Sequence, residues 1–86
     1  MPSYLMESYV ATSPTAVEEA RTRPRRAAAL GVDVRYVRTT VLPEDETILY
    51  LFEAPSAAAL DEAGRRAALP FERIVEAVEG SMGAAP

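Results

Sequence analysis

Histidine, cysteine and lysine are missing from all 86 residues of this chain, and its nine basic residues are all arginine. There is no imidazole to shuttle protons near neutral pH. Without thiol there is no thiolate nucleophile, no soft metal ligand, no zinc site of the Cys/His type and no disulfide framework. Without lysine there is no amine for a Schiff base. Carboxylates, tyrosines, arginines and hydroxyls remain. Arginine in place of lysine also suits a GC-rich genome, so it identifies no mechanism.

Other absences narrow the function further. The longest apolar run is Ile48-Leu49-Tyr50-Leu51-Phe52, far shorter than a membrane span. Met1-Pro2-Ser3 leads into a strand-like run with no basic leader, so no signal peptide is expected and the cytoplasm is the expected compartment. The net charge of −4 argues against nucleic-acid binding, which needs clustered cations. Arg21, Arg23, Arg25 and Arg26 do cluster, but Glu18 and Glu19 balance them on a solvated helix face. Gly31, Gly64, Gly80 and Gly83 are too scattered to form a phosphate-binding loop. No plausible base accompanies Ser8, Thr39 or Thr40, which argues against a serine-type nucleophile. The inventory holds no catalytic constellation and calls for no cofactor; neither nucleic acid nor membrane is an expected partner.

What is present reads as one domain over residues 1–79, followed by a small-residue tail, 80–86, expected to be flexible. A chain of this length buries only roughly 60–65% of its unfolded surface and is marginal as a lone monomer. Ser3–Val10 reads as a first strand, with Tyr4, Met6, Ser8 and Val10 on one side and Leu5, Glu7 and Tyr9 on the other. Ser13-Pro14 starts a helix, Val17, Ala20, Ala27 and Leu30 form its stripe, and Gly31 stops it. Pro24 predicts a kink near Thr22-Arg23, or two shorter pieces. Val32–Leu42 and Thr47–Ala54 read as strands around a turn at Pro43–Glu46. Ser56 caps a second helix with an inner stripe of Leu60, Ala63, Gly64 and Ala67. The glycine in that stripe predicts close approach to a sheet. Phe71–Val78 reads as a fourth strand. The order β-α-β-β-α-β is that of an α+β, ferredoxin-like domain, with a four-stranded antiparallel sheet and two helices on one face.

The third strand breaks the alternation expected of a sheet that is wet on one side. Ile48 to Phe52 is apolar on both faces. Either a second copy covers the open face, giving a two-fold dimer and a shared α/β barrel, or Leu49 and Leu51 are isolated surface residues. Leu5, Tyr9 and Val75 add to the apolar inventory and favour the homodimer.

Tyr4-Leu5-Met6-Glu7, the run YLFEAPSAAAL from Tyr50 to Leu60, and Leu69-Pro70-Phe71-Glu72-Arg73-Ile74 resemble a family of small bacterial proteins. It was catalogued as a domain of unknown function, and its best-known member binds nickel. Phe52-Glu53-Ala54-Pro55-Ser56 is the most specific piece, and the likeness runs from Tyr4 to Glu79. The resemblance implies a ferredoxin-like fold and a dimeric α/β barrel. It also implies a histidine in the second strand, where this chain has Tyr36. Nickel favours imidazole, so no metal ligands are assigned.

Glu7 and Glu53 are the acids of interest, expected side by side on parallel central strands among apolar neighbours. Desolvation there would raise their pKa values and fit them for acid–base work. Alternatively each pairs with an arginine, such as Arg35, Arg38 or Arg73, and sets strand register. Tyr4, Tyr9, Tyr36 and Tyr50 either line a ligand cavity or serve as core. The candidate ligand-binding set is therefore Glu7, Tyr9, Tyr36, Tyr50 and Glu53. The leading expectation is a dimeric small-molecule- or metal-binding protein without catalysis. The alternative is a cofactor-independent monooxygenase, cyclase or isomerase acting on an apolar substrate, resting on fold analogy alone. It requires a closed cavity of several hundred Å³ with Glu7 or Glu53 in its wall. A purely structural interaction module is the third possibility.

Overall fold

Strand and helix alternate as the residue patterns demand. The computed structural model describes residues 1–78, which form β1 (Ser3–Ser8), α1 (Pro14–Leu30), β2 (Arg35–Leu42), β3 (Thr47–Glu53), α2 (Ala57–Arg66) and β4 (Arg73–Ala77). The expected flexible tail lies outside the described residues. The sheet order is β2-β3-β1-β4. Every neighbouring pair is antiparallel, so the expected parallel pairing of the first and third strands is wrong. The crossover through α1 returns the chain in the direction of β1. The following hairpin then reverses it, so β3 enters the sheet against β1.

Both helices start where side-chain oxygens replace missing backbone partners. Ser13 Oγ accepts from the Ala16 amide at 3.1 Å, and Ser56 Oγ accepts from Ala59 at 3.1 Å. On α2 the anticipated stripe of Leu60, Ala63, Gly64 and Ala67 is buried. A Cβ on Gly64 would lie 2.9 Å from Met6 Cε of β1, which is the close sheet approach its position suggested. Gly31 caps α1 with an ordinary negative φ. There it is the missing side chain that matters, because a Cβ would sit 2.6 Å from Val34 Cγ2.

Of the two outcomes expected of Pro24, the structure overturns the division into two pieces: α1 is one continuous helix of 17 residues. Proline at this position cannot donate to the Ala20 carbonyl one turn earlier. Thr39 of β2 supplies the missing bond: its hydroxyl donates to Ala20 O at 2.9 Å. The Pro24 ring is itself buried between Ala20 and Ala27 on the inner stripe. Leu30, assigned to that stripe from spacing, is exposed instead.

The core lies between helices and sheet. Met6 from β1 and Ile48, Tyr50 and Phe52 from β3 meet Leu60, Ala63 and Leu69 there. Among the described residues, no helix covers the opposite sheet face. No helix among the described residues is long and apolar enough to cross a membrane.

Candidate functional site

On the helix-free face, strand pairing decides which side chains meet. Leu5 stands across from Leu51 and Val75, Glu7 from Leu49 and Arg73, and Ser3 from Glu53 and Ala77. A bulge after Tyr36 restores the alternation of β2, so that Arg35 faces Glu53, Arg38 faces Leu51 and Thr40 faces Leu49. The result is an apolar centre of Leu5, Leu49, Leu51, Val75 and Ala77. Leu5, Arg38, Thr40, Leu49, Leu51 and Ala77 surround a shallow hollow of about 220 Å³.

The two candidate acids stand at opposite ends of this centre. They do not converge, because antiparallel pairing separates their register positions by four residues. Each is bound to an arginine directly across the ladder. Arg73 Nε lies 3.1 Å from Glu7 Oε1, and Arg35 Nη1 lies 3.0 Å from Glu53 Oε1. Register pairing, the simpler of the two readings, is what the structure displays.

Glu7 is the more enclosed of the two, and its carboxylate is held below its ordinary value. The Tyr9 hydroxyl is the largest cause; Arg73 adds to it, while desolvation opposes it. Tyr9 donates to Glu7 Oε1 at 2.5 Å, and this bond raises the Tyr9 pKa in turn. The end of β1 is laced to the start of β4 by two further bonds. The Tyr9 amide donates to Glu72 Oε1 at 2.6 Å, and the Glu72 amide donates to Glu7 O at 2.7 Å. Glu7 is thus an ionised structural acid rather than a raised-pKa proton carrier.

Tyr36 and Tyr50 belong to the other face, so the five candidate residues do not form one site. Thr39 uses its only proton on Ala20 O, so the Tyr36 hydroxyl, 2.7 Å from Thr39 Oγ1, must be the donor of that pair. The Tyr36 ring also packs against Phe52, with centroids 5.7 Å apart, and lies 5.4 Å beneath the Arg25 guanidinium. Tyr36 is committed to holding β2 against α1. Tyr50 is 2% exposed and its hydroxyl makes no hydrogen bond among the described residues. Burial pushes its pKa up to about 12.

The space beneath the helices is filled by the core, apart from a cavity of about 120 Å³ between α1 and β3. A larger, open groove of about 700 Å³ runs between α2 and β4. Neither Glu7 nor Glu53 lines the cavity, the groove or the sheet-face hollow. Among the described residues of a single subunit, none of these spaces is the closed chamber with Glu7 or Glu53 in its wall that the catalytic alternative requires. Sequence reasoning overlooked Thr39 as the partner of the Pro24 region. The signal available was a proline inside a helix facing a β-strand hydroxyl.

Comparison with known proteins gives two findings. A family model described as nickel responsive protein, SCO4226-like, matches residues 10–77. Among solved structures, the crystal structure of SCO4226 from Streptomyces coelicolor A3(2) is similar to this chain at 18% identity. Its TM-score is 0.71, and the match covers 92% of this chain and 99% of that one. At that identity the likeness establishes the shared fold. No curated protein matches significantly.

Proposed function

Because the chain belongs to the nickel-responsive, SCO4226-like family, we propose that it works as a homodimeric binding protein whose two sheets enclose the ligand site between them. The observation that carries this reading is the apolar centre of the helix-free face. Two face-packed sheets bury such residues at a separation of about 10 Å. The hollow around Leu49 and Leu51 gives a partner's side chains a place to insert. Each end of the face bears one acid and one arginine, so a two-fold copy meets complementary charge whichever end it presents.

The donor set separates this chain from a nickel-holding member of the family. Nickel at protein sites favours imidazole, and the sequence has neither histidine nor cysteine. Among the described residues no group of three or more carboxylates converges to hold a metal ion. Glu7 is already engaged by Tyr9 and Arg73. The residues present do not fit a nickel site, and a small organic ligand is the better match to this face.

Sedimentation velocity at micromolar concentration tests the reading. The expected result is a dimer that Leu49→Arg converts to a folded monomer with unchanged circular dichroism. A wild-type chain that sediments as a well-folded monomer, with or without small metabolites, overturns it. Nickel is expected to elute separately from the protein in gel filtration.

A further inference from the structure

The cavity between α1 and β3 is lined by a tyrosine whose hydroxyl makes no hydrogen bond within the described fold. Its walls are Val10, Ala16, Ile48, Tyr50 and Pro70, with Glu19 and Arg23 at the rim. Tyr50 is almost wholly buried, yet its hydroxyl has no partner among the described residues. Ser8 Oγ is the only fully buried side-chain polar atom without a partner among the described residues, so the Tyr50 hydroxyl keeps access to the cavity opening. Arg23, on α1, brings a guanidinium to the same opening. It is only loosely held, with Nη2 3.5 Å from Glu19 Oε2 and Nη1 donating to Ala68 O at 3.3 Å. Its remaining N–H groups have no partner among the described residues.

We propose that this cavity binds a short-chain monocarboxylic acid, its carboxylate between the Arg23 guanidinium and the Tyr50 hydroxyl and its alkyl end against Ile48 and Val10. Size sets the class: 120 Å³ is room for about four water-sized groups, enough for the alkyl end of acids up to butyrate with the carboxylate at the opening beside Arg23, and too little for polycyclic ligands. Charge sets the head group. Guanidinium is a permanent cation suited to carboxylate, and Tyr50 remains a neutral donor because its pKa is displaced upward to about 12. Glu19 competes for Arg23, but an exposed pair one helical turn apart at 3.5 Å is weak. A bound carboxylate also accepts a hydrogen bond from the Tyr50 hydroxyl, which Glu19 is not seen to do.

This site is on the helix side of the sheet, so it is independent of the dimer face. The test is an amide-resolved NMR titration of the full chain with sodium butyrate, with 1-butanol and sodium chloride as parallel probes. The expected result is saturable shifts at Ala20, Ile48 and Tyr50 with butyrate, with Kd on the order of 1 mM. Tyr50→Phe should weaken binding about tenfold, and Arg23→Gln at least as much. Arg23 is partly exposed, so its variant keeps the test valid should Tyr50→Phe loosen the core. Absence of saturable shifts, equal binding of 1-butanol, or undiminished butyrate binding by folded Arg23→Gln overturns the assignment. Leu49→Arg should leave butyrate binding unchanged even if it abolishes the dimer.

Discussion

The two sides of β3 are built from similar residues and meet different fates. Toward the helices, Ile48, Tyr50 and Phe52 sit in a closed core. On the other side Leu49 and Leu51 lie among Leu5, Val75 and Ala77, flanked by two acid–arginine pairs and by no helix. Leu51 is nevertheless only 7% exposed, because neighbours on its own face crowd around it. Apolar character on both sides of a strand therefore reports that two surfaces need cover. It does not say whether cover comes from a helix, from flanking side chains or from a second subunit.

Truncation on the two sides separates folding from association. Phe52→Ala, within the core, is expected to cost about 3–5 kcal/mol in urea denaturation, through lost transfer energy and a cavity. Leu49→Arg, one face away, should alter subunit stability far less while changing sedimentation. Equal destabilisation by the two would erase the distinction between the faces.

Next in size is the clip between helix and sheet. Thr39→Val keeps the side-chain shape but strips the Ala20 carbonyl of its donor and the Tyr36 hydroxyl of its acceptor. A loss of about 1–3 kcal/mol is expected, with faster hydrogen exchange around Ala20 and Pro24. An unchanged midpoint would show that Pro24 is accommodated by other means.

On the open face, Glu7→Gln should cost about 1 kcal/mol, and its pH dependence has a definite sign. Glu7 has a folded pKa below its ordinary value, so its contribution is fully present above that ordinary value. It is lost as pH falls through the lowered folded value. Wild type and variant should therefore converge in strong acid and differ at neutral pH. A gap that widens on acidification would contradict the Tyr9–Glu7–Arg73 arrangement.

The smallest effect belongs to Ser8, whose hydroxyl is buried without a partner. Ser8→Ala should leave stability unchanged or raise it by up to about 1 kcal/mol. A clear loss would mean that the hydroxyl is engaged, for instance by an ordered water.

Element order was readable because its signals are local. Ser13-Pro14 and Ser56 mark helix starts by the geometry of their own side chains, and the stripe of Leu60, Ala63, Gly64 and Ala67 follows from helical spacing alone. The strands were equally plain, and with them the ferredoxin-like arrangement. Much less of the candidate site was visible. Glu7 and Glu53 were singled out as acids on the central strands, and the arginines named beside them included their partners, Arg73 and Arg35. Yet their expected convergence was lost with the strand direction, and Tyr36 was already committed to Thr39.

Composition by itself determined which chemistries are closed to this protein, since residues that are absent cannot be supplied by folding. Local patterning determined the succession of strands and helices, because caps, turns and periodicity act over a few residues. Only tertiary structure decided that β3 runs against β1, that Thr39 completes a helix containing proline, and that Tyr50 faces a cavity with Arg23. Each of these depends on groups far apart in the chain, brought together by burial that no short stretch of residues encodes.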